Sequence, residues 1–144
     1  MVRSLEKRDL PQLAELYRQF WGEPSDVAGM EQQFELMQRE NTHIILVYES
    51  EGRVIGSVMG IVCRELYGDC RPFLTVENMI VDRNHRRTGV GRSLLSALEE
   101  AARGRDCTQM ILVTEKNRAD ACGFYERYGF QTDTTGYKKK LQRG

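Results

Sequence analysis

Leu10, Leu13, Leu16, Tyr17 and Phe20 recur at the spacing of one helix face. Asp9 precedes Leu10-Pro11, an N-cap residue type followed by proline in the first turn, and Gly22, Pro24 and Ser25 break the pattern. A second helix is predicted over residues 27–39, with Met30, Phe34 and Met37 on one side. From His43 the period changes. His43-Ile44-Ile45-Leu46-Val47-Tyr48 is a β-rich run, Glu51-Gly52 reads as a hairpin turn, and Arg53 to Val62 is the returning strand. A polar connection over 66–70 is closed by Pro72, and Phe73 to Val81 is another strand. The next helix runs from about Gly89 to Arg103, with Val90, Leu94, Leu95, Leu98 and Ala101 on its apolar face and Gly104 as its stop. Met110-Ile111-Leu112-Val113 is a short apolar run, the pattern of a strand buried on both faces. Asp120 to Tyr128 is helical and ends at Gly129. Residues 2–5, Phe130–Thr132 and Gly136–Leu141 add short strands.

These elements predict one mixed α/β (α+β) domain over residues 1–144, with six or seven strands and about four helices. The first half reads as antiparallel. The strand–helix–strand unit over 73–113 reads as a parallel crossover, because the helix stands between two apolar strands.

A chain of 144 residues buries roughly two-thirds of the surface it exposes when unfolded, so its core needs no disulfide or metal. Lys+Arg and Asp+Glu both total 21, which gives no basic excess of the kind nucleic-acid binding requires. No apolar run is long enough to span a bilayer, and Met1 to Glu6 lacks the apolar core of a signal peptide, so the expected location is the cytoplasm. Cys63, Cys70, Cys107 and Cys122 include no CxxC pair, and His43 and His85 are the two histidines. No metal site is expected, and the thiols are expected to be reduced and mostly buried.

Three stretches carry candidate chemistry. Gly89 and Gly91 leave the backbone bare where a helix begins, and Arg86, Arg87 and Arg92 surround that start. Unpaired N–H groups and a partial positive charge make a helix start a cradle for phosphate. A Walker loop would end in Gly-Lys-Ser/Thr, whereas Gly91-Arg92-Ser93 holds arginine. A dinucleotide loop would place its third glycine where Leu94 stands, and its glycines directly after the strand, although Glu115 sits where a ribose-binding acid would. Second, Glu77 interrupts an apolar strand. With regular pairing it points opposite to Val76 and Asn78, and it is expected to lose hydration there, which suits a general base. A strand-edge acid at a bulge or in an ion pair is the other reading. Third, Tyr125 and Tyr128 share a helix face within Gly123–Phe130. A tyrosine there either donates a proton to a leaving thiolate or packs on the sheet with its hydroxyl satisfied.

Val76-Glu77-Asn78-Met79-Ile80-Val81-Asp82, then Arg86-Arg87-Thr88-Gly89-Val90-Gly91-Arg92, then Phe124-Tyr125-Glu126-Arg127-Tyr128-Gly129-Phe130 together resemble the GNAT superfamily of N-acetyltransferases. The element order resembles the family over nearly the whole chain, and the specific part is residues 76–130. The resemblance implies a central mixed, mostly antiparallel sheet, splayed between the strands at 73–81 and 108–114. It implies acetyl-CoA as cosubstrate and a primary amine, free or on a peptide, as acceptor. Backbone groups of Met79, Ile80 and Val81 would hold the thioester arm, with loop residues Arg86, Arg87, Thr88, Gly89, Val90, Gly91 and Arg92 at the pyrophosphate. Glu77 would be the base, directly or through water, and Tyr125 the acid that reprotonates coenzyme A. Many members place Asn seven residues before that tyrosine; here the position holds Arg118, preceded by Asn117, and either is assigned to the cofactor arm. The resemblance is compatible with a homodimer. A non-catalytic module binding an acyl-CoA on the same fold is the alternative. The acceptor site is expected around residues 20–40 and 64–72.

Overall fold

A computed structural model describes residues 1–143 as five strands, four α-helices and two short 3-10 turns. They follow as β1 (Val2–Ser4), a 3-10 turn (Lys7–Asp9), α1 (Leu10–Trp21), α2 (Val27–Glu40), β2 (His43–Ser50), β3 (Arg53–Cys63), β4 (Phe73–Val81), a second 3-10 turn (Arg83–His85), α3 (Val90–Gly104), β5 (Met110–Ile111) and α4 (Ala119–Tyr128). The sheet order is β1-β2-β3-β4-β5, antiparallel through β4 and parallel between β4 and β5. This is the mixed, mostly antiparallel sheet with four helices read from the sequence. Residues Met1–Ile111 form one compact unit, and the chain from Leu112 onward forms a second.

In the first unit, the hairpin turns at Glu51 (φ 50°) and Gly52 (φ 76°), a left-handed pair that matches the twist of the flanking strands. α1 and α2 close one cluster of Leu5, Leu10, Leu13, Leu16, Phe34, Val47, Val54 and Ile80. α3 buries Leu94, Leu95 and Leu98 completely. It comes close to the sheet because β3 is bare where they meet. A Cβ on Gly56 would stand 2.9 Å from Val90 Cγ1, and one on Gly60 would stand 2.7 Å from Leu98 Cδ1. Those two glycines, which weaken a strand on propensity alone, are thus requirements of helix packing.

Four expectations are corrected. The strand count is five: Phe130–Thr132 and Gly136–Leu141 form no strand. Their apolar positions do not alternate, Lys138-Lys139-Lys140 interrupts them, and Tyr137 and Leu141 are exposed, so no face exists to bury. β5 is two residues long, and Ile111 and Val113 are exposed rather than buried on both faces. Gly104 lies within α3; the chain reverses after it, with Asp106 taking the left-handed conformation (φ 61°). Asp9 does not cap α1 with its side chain. Its buried carboxylate accepts from Arg3 Nη1 (2.7 Å), Arg3 Nη2 (2.9 Å) and the Glu6 N–H (2.8 Å). Arg3 Nε also reaches Glu49 (3.2 Å), so this ion cluster ties β1 to the start of α1 and the end of β2.

Candidate active site

The site is built from the end of β4. Met59 pairs with Glu77 and Ser57 with Ile80, so Asn78 and Met79 together oppose Val58. This is a β-bulge, with Asn78 left-handed at φ 51°. The regular alternation expected through Glu77 is therefore broken. Val76 and Ile80 are buried, whereas Glu77, Asn78, Met79 and Val81 are half-buried. Asn78 faces the Tyr17 hydroxyl of α1. Burial pushes that hydroxyl's pKa up and the Asn78 side chain pulls it back, which leaves Tyr17 neutral at pH 7.

Pairing on the other side of β4 stops early. Leu74 pairs with Met110 and Thr75 with Ile111, and among the described residues β4 has no strand partner on that side from Val76 onward. The strand edge is thus unpaired by any strand along the stretch expected to hold a thioester arm. Arg86 turns back onto it: its Nε lies 3.4 Å from the Val81 carbonyl.

The loop that follows is organised by polar ties. Buried Asp82 accepts from Gln19 Nε2 (2.6 Å) and the Asn84 N–H (3.3 Å), and its Oδ2 lies 2.7 Å from His85 Nδ1. The Gln19 amide first, and then His85, hold the Asp82 carboxyl below the usual carboxylate range. Thr88 Oγ1 donates to the His85 carbonyl. Arg87 (φ 62°) and Gly89 (φ 90°) are both left-handed, and Gly89 is the N-cap of α3 with no side-chain cap bond. A Cβ at Gly89 would meet nothing within 4 Å, so the helix start faces open space. The first helical bond is Ser93 N–H to Gly89 C=O at 3.0 Å. Helix geometry leaves the Val90 and Gly91 N–H groups without intrahelical acceptors. Arg86, Arg87, Thr88 and Arg92 are exposed around this start, and the buried Val90 side chain anchors it against β3. Bare first-turn amides, a helix dipole and flanking cations fit a pyrophosphate.

In the second unit, half-buried Tyr125 lies between Phe124 (ring centroids 5.3 Å apart) and Phe130 (5.8 Å). Burial raises its hydroxyl pKa and the Arg118 charge opposes that rise. The hydroxyl is therefore protonated at neutral pH, as a proton donor must be. Arg118 is the half-buried N-cap of α4, and Asn117 is exposed. Glu115, the one agreement with a dinucleotide fold, pairs with Lys138 Nζ at 2.6 Å. All four thiols are free. Cys63, Cys107 and Cys122 are half-buried and Cys70 is exposed, so they are less enclosed than their composition suggested. Burial pushes the Cys107 thiol up, away from the nucleophilic thiolate. Among the described residues no group of three His, Cys, Asp or Glu could hold a metal, and no helix is long and apolar enough to cross a membrane.

Tyr17, Gln19, Asp82 and His85 were missed as site residues in the sequence. Tyr17 and Gln19 sit on a helix whose stripe reads as core, and their partners are about sixty positions away. Asp82, next to a loop start, carries a local signal as a turn cap.

The model of the acetyltransferase (GNAT) family matches residues 10–130. An L-methionine sulfoximine/L-methionine sulfone acetyltransferase of Pseudomonas aeruginosa is 30% identical over 143 residues, covering 90% of this chain and 79% of that protein. A glucosamine 6-phosphate N-acetyltransferase of Trypanosoma brucei brucei is 26% identical over 133 residues, covering 90% and 88%. Among solved structures, a putative acetyltransferase from Agrobacterium tumefaciens superposes with a TM-score of 0.91 at 24% identity, over 98% of this chain and 99% of that one. That last likeness speaks for the fold.

Proposed function

The chain belongs to the GNAT acetyltransferase family, and from that premise we propose that it moves the acetyl group of acetyl-CoA onto a primary amine by direct attack in a ternary complex. The observation that carries this reading is the open helix start at Gly89, reached through a short tied loop from a bulged strand that has no strand partner beyond Thr75 on one side. Acetyl-CoA supplies the activated thioester. The α3 first-turn amides hold its pyrophosphate, with Arg87 and Arg92 adding charge and Arg86 bracing the strand end. Backbone groups of Met79, Ile80 and Val81 align the pantetheine arm along the open edge. A backbone N–H there stabilises the charge that grows on the thioester oxygen.

A free alkylamine is mostly protonated at neutral pH and must lose a proton to attack. Glu77, half-buried beside the bulge, is the base in this proposal, directly or through one water. As the carbon–sulfur bond breaks, the electron pair leaves on sulfur, and the Tyr125 hydroxyl returns a proton to it. Arg118 then stabilises the tyrosinate until it is reprotonated. Alignment of both substrates removes the need for an acyl-enzyme. The proposal treats residues 1–144 as one catalytic domain acting in the cytoplasm.

The test is thiol release from acetyl-CoA in the presence of single amines. Methionine sulfoximine and glucosamine 6-phosphate come first, as the acceptors named for the two relatives. Release that requires both enzyme and amine supports transfer. Saturable acetyl-CoA binding without release on any amine supports the non-catalytic module instead.

A further inference from the structure

The Gln19 side chain is used at both ends. Its Nε2 donates to Asp82 Oδ1 at 2.6 Å, and its Oε1 accepts the Arg83 N–H at 3.1 Å. The amide orientation is dictated by its partners. Reversed, it would set oxygen against carboxylate and NH2 against N–H. Asp82 passes the constraint on. It caps the 3-10 turn through the Asn84 N–H and holds the His85 ring, and the His85 carbonyl takes the Thr88 hydroxyl one residue before Gly89. A continuous set of ties thus runs from α1 to the residue that opens α3. Two residues before Gln19, Tyr17 faces Asn78 at the bulge. One helix therefore meets both ends of the proposed thioester-binding stretch and is tied to it at the Asp82 end.

We propose that Gln19 is a positioning residue for the cofactor loop: by clamping Asp82 and the Arg83 amide it holds the Gly89 helix start in the conformation that receives pyrophosphate. This rests on the reading of that loop as the acetyl-CoA site. Gln19 touches neither substrate in this account and acts only through Asp82 and Arg83. The clamp works because an amide offers a donor and an acceptor side by side. A protonated carboxyl does the same, whereas a carboxylate offers only acceptors and repels Asp82.

That difference supplies the experiment, made on the full chain with acetyl-CoA as the probe. Gln19→Ala is expected to raise the Kd and KM for acetyl-CoA about tenfold, the worth of one hydrogen bond to a charged group. Its kcat should fall by less than KM rises. Gln19→Glu should bind more weakly than Gln19→Ala at neutral pH. On acidification its deficit against Gln19→Ala at the same pH should shrink. The charged groups facing this position are Glu15 and Arg18 of α1, and Asp82, Arg83 and His85 of the loop. All are present in wild type and variants, but Gln19 itself holds Asp82 low, so the titration of residue 19 is read from the ratio of Gln19→Glu to Gln19→Ala at each pH, both of which lack that hold. If Gln19→Ala lowers the melting temperature, Gln19→Met, which keeps the length without the polar ends, must show the same loss of affinity. Wild-type affinity in Gln19→Ala, or a Gln19→Glu deficit that ignores pH, overturns the proposal. Failure of the wild type itself to bind acetyl-CoA overturns the cofactor reading and this inference with it, and the wild-type titration tells the two cases apart.

Discussion

Between Val81 and Val90 the chain is held by two buried residues and a set of polar side-chain ties, whereas around Tyr125 it is held by ring contacts and by the backbone bonds of a helix end. Asp82 and Val90 are buried, and Gln19, Asn84, His85 and Thr88 fill the space between them with directed bonds. From Leu112 onward no described residue is buried, and Tyr125 is set by ring contacts with Phe124 and Phe130 and by the helix end at Gly129. The first arrangement fixes backbone direction, which is what binding through N–H groups needs. The second keeps one hydroxyl protonated by burial, with the Arg118 charge opposing the rise in its pKa, so that a proton is in place to be given. Substitutions in the first stretch should therefore register as affinity and stability, and in the second as turnover.

The largest expected effect tests that division directly. Tyr125→Phe should lower kcat about a hundredfold or more, the usual worth of a positioned acid, and leave the calorimetric Kd for acetyl-CoA near wild type. Loss of affinity equal to the loss of kcat would mean that the hydroxyl serves cofactor binding rather than proton return, and wild-type kcat would remove the hydroxyl from the mechanism. Next comes Leu98→Ala in α3, which should cost about 3 kcal/mol in urea unfolding, because Leu98 is fully enclosed against Gly60 and Leu74. Leu112→Ala, at a half-buried position, should cost less than half as much. Asp9→Asn should cost about 2 kcal/mol, below the range for a fully buried pair because Arg3 keeps Glu49 and is partly exposed. It should also flatten the acid limb of stability. Arg3 beside Asp9, and Gln19 with His85 beside Asp82, hold both carboxyls below their unfolded value, about 3.9 for aspartate. Stability from a depressed carboxyl is complete above that value and is lost as pH falls through the folded one, so the wild-type curve should drop on acidification below about pH 4. The smallest effect is at Gly89. Alanine there adds about 1 kcal/mol of left-handed strain, and relief of that strain should displace the first-turn amides and weaken acetyl-CoA severalfold. Thermal melting and calorimetry on the same preparation separate the two losses.

What the sequence discloses about this molecule is what depends on near neighbours. Phe73–Val81, the Glu51-Gly52 turn and the glycines opening α3 are readable because period, turn chemistry and backbone freedom are local properties. The bulge beside Glu77 is legible only as one of two readings, because its register arises from a mismatch with Val58 across the sheet, and Asn78, a residue type that tolerates the left-handed conformation, is its one local mark. Asp9 looks like a cap until Arg3 and the Glu6 amide compete for its carboxylate. Gln19 looks like one more polar residue on an amphipathic helix, since Asp82 and Arg83 reach it only after the sheet has formed. Residues 130–141 mislead for the opposite reason: their short β-like runs have no apolar face to hold them in a sheet.

The central claim is that the helix start at Gly89 receives the pyrophosphate of acetyl-CoA. Isothermal titration of acetyl-CoA into the 144-residue chain, wild type beside Gly89→Ala, tests it most directly. The account predicts saturable binding of one acetyl-CoA per chain, weakened severalfold by the substitution while the fold persists. Absence of saturable binding to the wild type, or identical affinity in the two proteins, would contradict it.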